Sequence, residues 1–380
     1  MSQQVMMIIF VAATFLIAAA VGLTIIPRIV FISHTKQLFD EPNERSSHKN
    51  KVPRLGGLAF FPGLLFSFAL TLGLRTVVGY DLDPVFAPHV YRELLFLLCG
   101  FIVLYLVGIA DDLISVHFSK KFVAQILASA MMIVGGVYIN NFHGFLGLHE
   151  VSIWVGAPIT VLLVVFVINA INLIDGIDGL ASGLCIVALT VYGIWFTMYG
   201  LTVYGMLAFG MVGVIAPFFY FNVFSRQRKI FMGDTGSLML GFMLAFLSAR
   251  FCMFAVEPQY NVSNAPIWVF ALLFIPLFDA LRVFLDRIRR GKSPFLPERN
   301  HIHHKFLALG FSHRRTMFFV NGLAIAIIGL NIWATQLLNI HVLLAADLIF
   351  GAALMFSLHR IRVHKENKEE DVSADRSKQM

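Results

Sequence analysis

Four short segments hold the residues that could do chemistry. "GIADDLISVHFSKK" carries adjacent carboxylates, Asp111 and Asp112, followed by Lys120 and Lys121. "NAINLIDGIDGLASG" spaces Asn169, Asn172, Asp175 and Asp178 three residues apart. "RKIFMGDTGSLMLG" sets Asp234 among small residues, and "GKSPFLPERNHIHHKF" brings Arg299, His301, His303 and His304. Carbonyl and carboxylate oxygens are the hard donors that Mg²⁺ prefers, and this ion usually takes one or two protein ligands beside water and substrate phosphates. Small residues with free N–H groups at a helix start suit a phosphate. Histidine and arginine are good donors to phosphate or pyrophosphate. Residue type and spacing together point to a phosphorylated substrate handled with a divalent ion.

Each segment also has a plainer reading. Adjacent helical residues point about 100° apart, so Asp111 and Asp112 cannot both face one atom without a bend and have different tasks; a solvated helix end is the alternative. Steps of three rotate by about 60°, which lays neighbours in the asparagine–aspartate series side by side. Gly176, Gly179 and Gly183 weaken the helix there and let a ligand approach the backbone, although Asp-Gly is also ordinary turn chemistry. Asp234 or Thr235 could simply cap the helix that follows. The histidines have no glutamate within their motif and no cysteine partner, which argues against zinc. Lys51 and Arg54, in a basic stretch at 40–57, could meet lipid head groups or a phosphate. Asp279, three residues before Arg282, reads as an intrahelical ion pair.

The elements that must position these groups are membrane spans. The chain has 380 residues, 58% hydrophobic and 13% charged, with a mean hydropathy of +0.79. Soluble globular domains carry about 25% charge, so a water-soluble fold is excluded and an all-α polytopic membrane bundle is expected. Uncharged runs long enough to span lie near 5–26, 56–78, 93–110, 122–140, 151–171, 180–199, 202–221, 236–256, 263–281, 317–336 and 340–358, about eleven in all. Residues 1–360 then form one membrane domain and 361–380 a charged tail without regular structure. Cys99, Cys185 and Cys252 lie in apolar runs and read as packing residues. All 29 Lys and Arg residues except Arg28, Arg75, Arg92 and Arg250 fall in one alternate set of loops and the tail. The positive-inside rule makes that set cytoplasmic, with the N-terminus out and the C-terminus in. The net charge of +7 is then mostly topological, and nucleic acid is not needed to explain it. All four chemical segments lie at cytoplasmic mouths of spans or in the loops beyond, as an active site assembled from loops requires. A cation-coupled transporter, the reading from another class, would keep some of these groups near the midplane.

In this order and on this side, "HKNKVPRLGG", "DD", "NxxNxxDGxDGL", "GDTGS" and "HIHH" resemble the polyprenyl-phosphate N-acetylhexosamine-1-phosphate transferase family, over some 260 residues of the chain. The resemblance implies a multi-pass enzyme of the bacterial cytoplasmic (inner) membrane. Such an enzyme moves N-acetylhexosamine-1-phosphate from a UDP-sugar to a polyprenyl phosphate, releases UMP and starts a lipid-linked surface glycan. It implies Mg²⁺ as cofactor, with Mn²⁺ as the substitute, and leaves a homodimer open. Asn172 and Asp234 would hold the metal. Asp111 and Asp112 would act at the lipid phosphate, as base or positioning group, with Lys121 as a cation. Asp175, Asp178, His301, His303, His304, Arg299 and Lys51 would bind substrate. Glu298 stands where many relatives have aspartate. "GKSPF" and "HIHH" look like the sugar-phosphate branch, with UDP-GlcNAc as donor, and unlike the muramoyl-pentapeptide branch, which is the alternative within the family.

Overall fold

A computed structural model describes residues 3–38, 52–79, 88–260, 262–293 and 300–378. Backbone groups in hydrocarbon must satisfy one another, and for a single apolar segment only a helix does so. The described chain is accordingly helical, apart from short turns and one isolated bridge between Asn141 and Glu150. Its helices are α1 (Gln3–Lys36), α2 (Phe60–Val77), α3 (Pro88–Ile114), α4 (Phe118–Val134), α5 (Ile153–Ile174), α6 (Leu180–Met198) and α7 (Thr202–Val223). They continue as α8 (Gly233–Ala255), α9 (Ala265–Leu272), α10 (Phe274–Arg289), α11 (Ile302–Ala308), α12 (His313–Ala334) and α13 (Ile340–Lys378).

Among the described residues, nine helical segments are long and apolar enough to cross a membrane, or ten if one bent pair counts as a single span. This multi-pass architecture differs from the expected eleven spans in two places. Helix α4 has 17 residues and carries Lys120 and Lys121 in its first turn, so its apolar part is short for a bilayer. The expected span at 263–281 is broken into α9 and α10, bent by 76°. Pro276 lies in the first turn of α10 and has no N–H to continue the ladder from α9. The tail also departs from expectation, since the backbone of α13 stays helical to Lys378.

Helix α8 forms the centre of the bundle. Within its apolar window 89% of residues are buried, against 22% in α13. It packs on α3, α5, α6 and α7, and its approach to α3 depends on Gly108, where an added Cβ would come within 2.5 Å of Thr235 Cα. Close crossings of this kind are what small residues permit between membrane helices. The consequence is local: the start of α8 lies against the end of α3, where the paired aspartates sit.

Candidate active site

Four helices bring their polar ends to Asp234, in the first turn of α8. Lys121, from α4, places its Nζ 2.9 Å from Asp111 Oδ2 and 3.3 Å from Asp234 Oδ2. Asn172, from α5, donates its side-chain amide to Asp234 Oδ1 and, at 2.8 Å, to Ser237 Oγ. Asp112, on α3, accepts from the Asp234 N–H at 2.6 Å, the Thr235 N–H at 3.0 Å and the Thr235 hydroxyl at 2.6 Å. Asp111 keeps its contact with Lys121 and also accepts from the Val116 N–H at 2.6 Å. The adjacent acids thus have different hydrogen-bond partners, in keeping with their angular separation on a helix.

The contact made by Asp112 corrects one expectation. The free N–H groups at the start of α8 looked suited to a phosphate, but a carboxylate from α3 occupies those of Asp234 and Thr235. Asp112 therefore caps a helix other than its own, and no side chain of α8 caps it. Gly233 makes room: its φ is +74°, and an added Cβ would lie 2.7 Å from both Asp112 oxygens.

The loop between α5 and α6 supplies the next wall. Asn169, first of the spaced series, is held by Gln125 at 2.7 Å and faces away from this cluster's bonding. Asp175 is part-buried at the end of α5; burial, and then the charges of Asp234 and Asp178, push its carboxyl up to about 7. Asp178 pairs with Lys229 at 2.6 Å. Lys229 was missed in the sequence reading, although its place in the basic loop just before "GDTGS" was the available signal. Asn222 completes the turn by accepting from the Gly179 N–H at 2.6 Å and donating to the Ile230 carbonyl at 2.8 Å. A further staple joins the "PRLGG" segment to the same loop: Phe231 N–H donates to the Pro53 carbonyl at 2.8 Å, and Gly56 and Gly57 donate to the Phe231 and Met232 carbonyls at 2.9 and 2.8 Å.

The histidines arrive from the far side. His303 is 1% exposed and lies over Gly176, where an added Cβ would be 2.2 Å from His303 Nε2. Its ring is 4.1 Å from that of His304 and stacks on His301 at 5.9 Å. Burial, followed by the neighbouring His304 and His301, lowers its imidazolium to about 3, so the ring is neutral at neutral pH. Among the described residues neither of its nitrogens has a hydrogen-bond partner. Asp279 anchors this motif by accepting from Arg282 at 2.8 Å, as the spacing predicts, and also from the Ile302 N–H at 3.0 Å, with His301 Nδ1 at 2.8 Å. The latter two contacts cross about twenty residues and have no local sequence signal. Lys51 and Arg299, expected to touch substrate, lie outside the described residues.

No group of three His, Cys, Asp or Glu side chains among the described residues is arranged to hold a metal. Asn172 and Asp234, in contact, offer two hard oxygens once the amide is turned to present its carbonyl. Two such ligands suit a divalent ion that draws the rest of its shell from water and phosphate.

A sequence model of glycosyl transferase family 4 matches residues 94–251, from α3 through α8. The undecaprenyl-phosphate alpha-N-acetylglucosaminyl 1-phosphate transferase of Haemophilus influenzae is 31% identical over 288 residues, which cover 74% of this chain and 75% of the relative. The chain belongs to this family. The proteins of the same name from Escherichia coli K12 and Salmonella typhi are 30% and 28% identical, over 74% and 78% of this chain and 72% and 76% of their own lengths. The matched region contains the aspartate pair, Lys121, the asparagine–aspartate loop and Asp234, whereas the histidine motif lies beyond the family model's range.

Proposed function

We propose that this glycosyl transferase family 4 protein transfers N-acetylglucosamine-1-phosphate from UDP-GlcNAc to undecaprenyl phosphate, releasing UMP, at the cytoplasmic face of a bacterial inner membrane. The observation that carries this reading is the convergence of α3, α4, α5 and α8 on Asp234 with Lys121 between two carboxylates. The names of the relatives support undecaprenyl phosphate as acceptor and N-acetylglucosamine 1-phosphate as the group moved, the family resemblance supports the UDP donor, and the distribution of Lys and Arg supports the orientation. The muramoyl-pentapeptide and transporter readings find no support among those relatives.

The chemistry asks for positioning more than for a strong base. A phosphate monoester has its second pKa near 6, so the acceptor is already largely ionised at neutral pH. Its oxygen attacks the β-phosphorus of the UDP-sugar, a new P–O bond forms, and the bond from that phosphorus to the bridging oxygen breaks as UMP departs. Charge on the transferring group must be neutralised and the two anions held in line. Lys121 offers the ammonium nearest the paired acids, and Asp112 fixes the turn of backbone that carries Asp234. Mg²⁺, or Mn²⁺ in its place, held by Asn172 and Asp234, would supply charge neutralisation on the pyrophosphate. Neutral His303, beside the Asp175–Gly176 turn, offers a donor for the sugar or diphosphate, with Asp175 and Asp178 on the nucleotide-sugar side.

Purified protein incubated with undecaprenyl phosphate and a panel of UDP-N-acetylhexosamines is expected to release UMP fastest from UDP-GlcNAc, and chelation of divalent ions to stop it. Absence of UMP with every donor would remove this reading.

A further inference from the structure

A cavity of about 500 Å³ opens between α10, α13 and the start of α11. Among the described residues, Arg282, Arg289, Arg290 and Lys305 line it against a single carboxylate, Asp286. Its other wall is apolar: Leu281, Leu285 and Leu348 line it and are 40%, 44% and 39% exposed. Asp286 is already committed, to Arg290 at 2.7 Å and to Asn300 Nδ2 at 3.1 Å. The Lys305 ammonium makes no ion pair or hydrogen bond among the described residues; burial and then the nearby Arg282 and Arg362 lower its pKa. The cavity therefore holds an excess of positive charge beside an exposed hydrocarbon surface.

Helix α10 explains how both come together. It is bent 76° from the apolar α9, and Arg282, Asp286 and Arg289 share a strip along it while Leu281, Phe284, Leu285 and Ile288 are exposed beside them. Where an amphipathic helix meets a membrane surface, its apolar residues enter the acyl region and its cations sit among head groups. Basic pockets between such helices on the cytoplasmic side take anionic lipid heads.

We propose that this cavity is a binding site for an anionic phospholipid of the surrounding bilayer, its phosphate held by Arg289, Arg290 and Lys305 and its acyl chains along Leu281, Leu285 and Leu348. The site connects to the active centre through Arg282 and Asp286. Arg282 donates both to Asp279 and to the Asn300 carbonyl, and Asp286 holds the Asn300 amide, so the walls of the cavity also anchor the chain entering "HIHH". A phosphate that takes over Arg290 leaves Asp286 to Asn300 and firms that anchor. The link to activity rests on the function proposed above; the lipid site itself does not.

The test is lipid retention by the full-length protein, measured by native mass spectrometry after exchange into mixed phosphatidylglycerol and phosphatidylcholine. Wild type is expected to retain phosphatidylglycerol preferentially, and the double variant Arg289→Gln/Lys305→Gln to lose about an order of magnitude of that preference. Arg226→Gln/Arg228→Gln, which removes two exposed cations from another loop, should change it little. Unchanged preference in the first variant, an equal loss in the control pair, or displacement of the lipid by millimolar inorganic phosphate would each overturn the proposal. UMP release by the same samples, measured separately, should rise with phosphatidylglycerol in wild type and not in the first variant; no release in any sample would count against the transferase reading and leave the lipid result standing.

Discussion

The carboxylate wall and the histidine motif face the same turn, Asp175 to Gly179, but they are built in different ways. The wall is cross-linked: Asp112 reaches from α3 to the backbone of α8, Lys121 from α4 spans two acids, and Asn172 from α5 bonds Asp234. The histidine motif is anchored from α10, by Asp279 directly and by Arg282 and Asp286 through Asn300, and meets the wall by packing His303 on Gly176. The groups proposed to meet phosphorus are placed where several helices constrain them. The histidines proposed to meet the sugar or diphosphate are placed where one helix, α10, anchors them. The wall should therefore fail all at once when broken, and the motif by degrees.

The largest expected effect is at the centre of the wall. Asp234→Asn should lower UMP release by about 10²- to 10³-fold, in the range for removing one group that stabilises transition-state charge, with little change in thermal stability. Full activity in that variant, at saturating Mg²⁺, would remove Asp234 from the metal assignment. Asp112→Ala separates holding from reacting. Losing a helix cap costs about 0.5–2 kcal/mol, so its melting temperature should fall together with kcat; a kcat loss without any loss of stability would return Asp112 to direct chemistry.

The motif should respond more mildly. Gly176→Ala must displace His303, because the added methyl would sit 2.2 Å from Nε2. KM for the UDP-sugar is expected to rise about tenfold while kcat changes less, on the order expected when a positioning group is moved without being removed; an unchanged KM would mean that His303 does not face the donor. The smallest effect is on pH and stability. The folded His303 imidazole titrates at about 3 against an ordinary 6.5, so between these values the unfolded chain binds the extra proton and stability rises with pH. Its contribution is complete above about pH 6.5 and is lost as pH falls toward 3. Thermal melts at pH 5 and pH 7 should show a smaller difference in His303→Gln than in wild type; identical differences would argue that the buried ring is not the source.

Much of the wall was legible because its motifs are local. The three-residue spacing exposed Asn172 and Asp175, and glycine neighbours marked Asp178 and Asp234. What was not legible is pairing across the fold. Nothing near Asp112 indicates that its partners are N–H groups 122 and 123 residues away, and Asp279 looked complete with Arg282 three residues on. The broken span at α9 and α10 was hidden for a different reason: its apolar content satisfies a span, and only Pro276 and the charged strip on α10 register the bend. Helix α4 was overcounted because an apolar run does not show where a lysine-bearing helix begins.

The staple between Pro53–Gly57 and Phe231–Met232 has a consequence for the order of manufacture. Chains emerge at about 5–20 residues per second, so roughly 10 to 40 seconds separate the synthesis of these two strips. During that interval Asp112 has no helix start to grip and Lys121 has only one of its two acids. The reaction centre thus closes only when α8 enters the bundle, and a nascent chain stalled before that helix would lack both its central packing partner and its activity.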